Sequence, residues 1–159
     1  MRIRTAENKD AVAIADIRER TIRTIVAPLN QYSADEIEAW ASNFSAQHVQ
    51  AFIEQGNYLV AELEGRVVGF GRLQIESATE ALVRGVFVDA DCVGRGIGSA
   101  LATELLKLAH TLGIESVELV ATLNARSFYE RLGFEFLKQI RHATANGAMI
   151  PGLHMRRRL

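Results

Sequence analysis

Gly94, Gly96 and Gly98 stand at alternate positions in Val88-Asp89-Ala90-Asp91-Cys92-Val93-Gly94-Arg95-Gly96-Ile97-Gly98-Ser99-Ala100-Leu101, where an apolar run meets an amphipathic one. Lacking Cβ atoms, they let the chain turn tightly with the amides of Gly94, Arg95, Gly96, Ile97, Gly98 and Ser99 facing one way, at a helix start that itself attracts anions. The chemistry this spacing supports is pyrophosphate binding. A dinucleotide fold needs G-x-G-x-x-G with an acidic residue roughly 20 residues on, whereas here the third glycine follows the second by two positions. A Walker loop needs G-x-x-x-x-G-K-[ST], and no lysine follows Gly98. What competes with the anion site is a flexible surface turn. Arg95 either reaches a phosphate or points into solvent. Ser99 either adds its amide and hydroxyl to the anion or caps the helix. Cys92 reads as apolar filler, since only Arg95 is near enough in sequence to lower its pKa.

A second constellation is Asn124-Ala125-Arg126-Ser127-Phe128-Tyr129-Glu130-Arg131-Leu132-Gly133-Phe134. Taken with the glycine turn, it resembles the GNAT superfamily of acetyl-coenzyme A-dependent N-acetyltransferases. That family's signature Q/R-x-x-G-x-G/A is matched by Gly96 and Gly98, with Val93 in the Gln/Arg place offering only its amide. Its second segment ends in F-Y-e-x-l-G-F, as this one does. The Tyr32–Ala41 stretch is similar to a branch of small bacterial members. The resemblance implies that Tyr129 sits near the coenzyme sulfur and protonates the departing thiolate, a task a phenol of pKa about 10 can perform when well positioned. The alternative for Tyr129 is a core aromatic with a satisfied hydroxyl.

By the same resemblance, the fourth strand is bulged and splayed from the fifth. The backbone of Phe87 and Val88 then meets the pantetheine arm, and Val86 faces the developing oxyanion. Asn124 contacts the coenzyme, or else caps a helix. Leu82 occupies the place where several members carry a glutamate base. Glu80, two residues earlier and on the same strand face by alternation, is the substitute, with Glu76 second; a solvated strand-end carboxylate is the alternative for both.

Local patterns supply the elements that must hold these residues. Arg2–Thr5 alternates as a short strand, and a helix starts at Asp10 and stops at Pro28. Ser33 and Glu36 form a capping box for a helix carrying Ile37 and Trp40, and a third helix runs from Ser45 to Glu54. Asn57–Leu63 and Arg66–Ile75 form a hairpin around Glu64-Gly65, followed by a buried strand over Leu82–Val88. Leu101, Leu105, Leu108 and Leu112 mark the helix after the glycines, ended by Gly113. A strand over Val117–Ala121, a helix capped by Asn124, a strand over Phe134–Arg141, an Asn146-Gly147 turn and a last strand over Ile150–Arg157, interrupted by Pro151 and Gly152, complete the chain. This order resembles the GNAT topology end to end. It implies an α/β (α+β) fold with a mixed, largely antiparallel sheet of about seven strands flanked by helices, in a single domain spanning 1–159.

The chain has 159 residues, 48% of them hydrophobic, enough for one core. Eighteen basic against nineteen acidic residues leave a net charge of -1, which gives no global field for nucleic acid or an anionic membrane. One cysteine and four scattered histidines form no metal-ligand spacing, so no metal is expected. No run approaches the roughly 18 apolar residues of a membrane span, and a cytoplasmic location is the default. The expected activity is transfer of the acetyl group of acetyl-CoA directly to a primary amine, on a small molecule or peptide, in a ternary complex. A GNAT module that binds acyl-CoA without turnover, as a sensor or interaction partner, is the alternative. Related proteins often pair, so a homodimer is also among the expectations.

Overall fold

Alternating polar and apolar residues at the N-terminus form strand β1 (Arg2–Thr5) in the computed structural model, which describes residues 1–159. The other strands are β2 (Tyr58–Leu63), β3 (Arg66–Ile75), β4 (Glu80–Val88), β5 (Ser116–Ala121), β6 (Glu135–Ala143) and β7 (Met149–Arg158). They build one seven-stranded sheet in the order β1-β2-β3-β4-β5-β7-β6, antiparallel throughout except between β4 and β5. This is the expected sheet. Strand β7 runs without interruption through Pro151 and Gly152, contrary to expectation. Gly152 is needed there because a Cβ would collide with Val120.

Helices α1 (Ala11–Thr21), α2 (Ala34–Ala41) and α3 (Ala46–Glu54) cover one face of the sheet, and α4 (Ile97–Thr111) with α5 (Arg126–Arg131) covers the other. The capping box of α2 forms as its sequence suggests. The Ser33 hydroxyl accepts from the Glu36 amide at 3.1 Å, and the Glu36 carboxylate accepts from the Ser33 amide at 2.9 Å. Helix α1 does not end at Pro28. It widens into a five-residue π turn over Ile22–Val26 and tightens into a 3-10 turn over Ala27–Leu29, where the missing proline N–H leaves no bond unmade. Thr21, at the start of the π turn, donates to the Val88 carbonyl at 2.9 Å, which ties this irregular stretch to the end of β4.

The position of α4 follows from two glycines in β3. A Cβ on Gly69 would lie 3.0 Å from Leu101 Cδ1, and one on Gly71 would lie 2.8 Å from Leu105 Cδ1. Their absence lets both leucines bury completely against the strand, each contributing about 1.5–3 kcal/mol. Helix α4 therefore lies close on the sheet, with its N-terminus and the glycine turn beside the end of β4.

Strand β4 carries a bulge. Gly71 stands opposite Val86 and Leu73 opposite Val83, so two steps on β3 match three on β4, and Gly85 takes up the excess at φ +90°. Pairing between β4 and β5 ends at Val83 and Leu119. From Arg84 onward the two parallel strands part, and the sheet has a gap. No helix is long and apolar enough to cross a membrane.

Candidate active site

A cavity of about 460 Å3 passes through this gap. On the α4 and α5 face it reaches Val93, Gly98, Asn124, Phe128 and Tyr129. On the opposite face it reaches Arg18, Tyr32, Trp40, Phe44, Phe52 and Arg72, with Glu118, His142 and His154 along its β5, β6 and β7 wall.

The glycine turn forms the first end. Gly94 and Gly96 have φ of +77° and +76°, a conformation that a side chain would strain. Gly98, which lines the cavity, is not forced by conformation: a Cβ there would sit 3.5 Å from both Phe128 and Val88, in ordinary contact. None of the amides from Val93 to Ser99 donates to a backbone acceptor; the first bond of α4 is Ala100 to the Gly96 carbonyl. Arg95 and Ser99 are exposed beside these amides, and Ser99 makes no capping bond. Ile97 turns its side chain into the core and leaves only its amide outside. Cys92 is buried in the same cluster. The turn is anchored by Asp89, only 2% exposed, whose carboxylate accepts from the Asp91 amide at 3.0 Å and from Arg20 of α1 at 2.8 Å.

In the gap, the register decides which backbone groups are free. Asp89 donates to the Val68 carbonyl at 2.8 Å, so two residues earlier Phe87 exchanges its bonds with Phe70, its partner in the ladder. Val86 and Val88 therefore face away from β3, with the Val88 carbonyl already taken by Thr21. Phe87 reaches the cavity by its ring, stacked on Phe70 at 5.3 Å and edge-on to Trp40 at 6.5 Å.

Tyr129 lies between Phe128 and Phe134 at ring distances of 4.8 and 5.7 Å, and is 7% exposed. Burial pushes its phenol up, with no hydrogen bond acting on it, so it keeps its proton through neutral pH. Asn124 does not cap α5. Ala125 holds that position, and the Asn124 side-chain oxygen accepts from Thr122 at 2.7 Å.

Glu80 stands exposed at the first position of β4, and Glu76 is exposed just before it; neither lines the cavity. The carboxylate that does is Glu118, directly beside Leu82 in the parallel β4–β5 register. It lies 2.7 Å from His154 Nε2 and accepts from Arg156 at 2.8 Å. Burial raises its pKa, but these two partners outweigh that and hold it below the usual carboxylate range. Sequence alone pointed to neither Glu118 nor His154, because only the strand order brings β5 against both Leu82 and β7. No cluster of His, Cys, Asp and Glu side chains is built to hold a metal ion.

The fold is shared. The family profile described as an Acetyltransferase (GNAT) domain matches residues 28–159. The N-acetyltransferase YafP of Escherichia coli is 30% identical over 136 residues, covering 85% of this chain and 83% of that protein. An N-acetyltransferase of Methanocaldococcus jannaschii is 37% identical over 91 residues, which are 52% of this chain and only 40% of that longer protein. The PaiA N-acetyltransferase of Thermoplasma acidophilum, solved with coenzyme A, shares the fold with a TM-score of 0.81 at 21% identity, over 99% of this chain and 98% of that one. The bulged fourth strand, the glycine turn and the buried tyrosine thus sit in a chain that belongs to the GNAT acetyltransferase family.

Proposed function

We propose that the protein transfers the acetyl group of acetyl-CoA directly to a primary amine, with both substrates bound at once. The observation that carries this reading is a single cavity joining an amide-lined turn on one face of the sheet to an acid–base pair on the other. The amides of Val93–Ser99 suit the coenzyme pyrophosphate, and the unpaired edge of β4 at Val86 and Val88 suits the pantetheine arm. Coenzyme A in the Thermoplasma relative supports the same choice of ligand. Acetyl-CoA supplies an acyl group activated as a thioester.

The chain's own residues do the rest. An ammonium has no lone pair, so the amine must lose a proton before it attacks. The Glu118–His154 pair is the acceptor on the amine side, in place of Glu80. The Val86 amide is the donor toward the oxygen that gains negative charge. Tyr129, protonated and on the coenzyme side, returns a proton to the sulfur as the thiol leaves. Acid and base therefore stand on opposite faces of the sheet and do not compete for the same proton.

Binding of acyl-CoA without turnover is the competing reading, favoured by Leu82 at the family's glutamate position. Release of free thiol from acetyl-CoA, measured against a panel of primary amines, separates the two. Amine-dependent release is expected, reduced about 100-fold in Glu118→Gln. Coenzyme binding with no amine-dependent release would leave only the binding module.

A further inference from the structure

The end of the cavity remote from the glycine turn holds a charge that nothing in the protein answers. Arg18, on the buried stripe of α1 with Ile14, Ile17 and Thr21, is 3% exposed. Its two terminal guanidinium nitrogens are buried and make no hydrogen bond. Its Cζ lies 4.2 Å over the Phe44 ring, and the side chain lines the cavity. Arg72 is 6% exposed and stands 4.2 Å over Phe52, whose ring is stacked on Phe44 at 6.4 Å. Its hydrogen bonds go to the neutral side chains of Gln55 and Gln74, at 3.0 and 3.1 Å. Arg84 is a third cation on the wall. The only carboxylate lining the cavity, Glu118, is already engaged by His154 and Arg156.

Burying an unpaired guanidinium is costly, and arginine cannot shed its proton to escape the cost. Arg18, unpartnered, and Arg72, bonded only to neutral amides, lie on one aromatic pair without a carboxylate and make a site for an anion. Their planar guanidinium forks match a carboxylate. The walls around it are apolar and aromatic, Tyr32, Trp40, Phe44, Phe52, Tyr58 and Phe70 among them, so the rest of the ligand must be largely apolar.

We propose that the amine acceptor carries a carboxylate on an apolar body, as an apolar amino acid does, and that Arg18, flanked by Arg72, holds that carboxylate. This deepens the acetyl-transfer reading and rests on it for the identity of the amine as acceptor. Arg18 is here a specificity residue. It would anchor the acceptor at one end while the amino group lies toward Glu118 and the gap in the sheet.

The test uses pairs of amines that differ by the carboxylate alone: L-leucine against isoamylamine, and L-phenylalanine against phenethylamine. Binding to the protein saturated with coenzyme A is read by calorimetry, and acetyl transfer by thiol release, for the wild type and for Arg18→Met. In the wild type the amino acids are expected to bind, and to react in kcat/KM, about 10- to 100-fold better than their partners. In Arg18→Met that advantage is expected to collapse to near unity through KM for the acceptor, with KM for acetyl-CoA unmoved. Equal binding within each pair, no binding of either amino acid, or an advantage that survives Arg18→Met would overturn the proposal. A binding advantage without any acetyl transfer would uphold the carboxylate site while contradicting the enzymatic reading.

Discussion

At the glycine turn, where Val93 and Gly98 line the cavity, the groups on offer are backbone: the amides from Val93 to Ser99 have no backbone acceptor and are carried on one loop and one helix start. At the far end the wall is side chain, drawn from α1, the segment before α3, β3 and β4. On the proposed function, the first kind of wall recognises what every acetyl-CoA donor has in common and tolerates side-chain change except where glycine is needed. The second kind is then the one that distinguishes acceptors, and a single residue there can rewrite it. The gap in the sheet, opened by the bulge at Gly85, joins two such unlike surfaces in one cavity.

Tyr129→Phe should have the largest effect. Turnover is expected to fall about 100- to 10,000-fold, with acetyl-CoA affinity nearly unchanged, as measured by thiol release and calorimetry. Equal loss of both would make Tyr129 part of the coenzyme end's packing and blur the division. Gly96→Val comes next, because a β-branched residue at φ +76° costs roughly 1–2 kcal/mol and redirects the amides. Affinity for acetyl-CoA should drop about 10-fold or more, with acceptor binding unaffected.

Arg18→Met probes the other end through stability. Replacing a buried unpaired charge by an apolar chain of similar length should leave thermal stability unchanged or raise it by about 1–2 kcal/mol. A loss of that size would mean that Arg18 holds the fold together. The smallest effect expected is a pH dependence at His142, whose pKa is lowered by burial and by Arg84. A depressed folded pKa means that the unfolded chain takes the proton first, so this contribution to stability is present above about pH 6.5 and is lost as pH falls from there through the lower folded pKa. Thermal midpoints of the wild type and His142→Asn should converge in their slopes above pH 7 and separate toward pH 5.

The two ends also differ in how far the sequence reveals them. The turn is written in consecutive residues, and Gly94, Gly96 and Gly98 announce it without any tertiary information. The capping box at Ser33 and the hairpin at Glu64-Gly65 are legible for the same reason. The acid–base pair is not, because Glu118 meets Leu82 only through a parallel register and His154 only through β7. Strand alternation put Glu80 on the right face but could not say that the cavity ends before it. Asn124 looked like a cap because a polar residue preceded a helical pattern, and the structure spends its side chain on Thr122. Arg18 and Arg72 are not singled out by sequence, because arginine by type belongs at the surface. A signal was there for Arg18, which falls four residues after Ile14 and one after Ile17 on the apolar stripe of α1.

Thermal unfolding in parallel excesses of acetyl-CoA, coenzyme A, ATP and NAD tests the central claim, that the cavity is a coenzyme A site with an acceptor end, most directly. At about 100 times its dissociation constant a ligand stabilises by roughly 2.7 kcal/mol, enough to move the midpoint clearly. A rise with acetyl-CoA and coenzyme A, absent with ATP and NAD and diminished in Gly96→Val, is the expected result. No rise with either coenzyme, or a larger one with a nucleotide, would contradict the coenzyme site and the acetyl transfer built upon it.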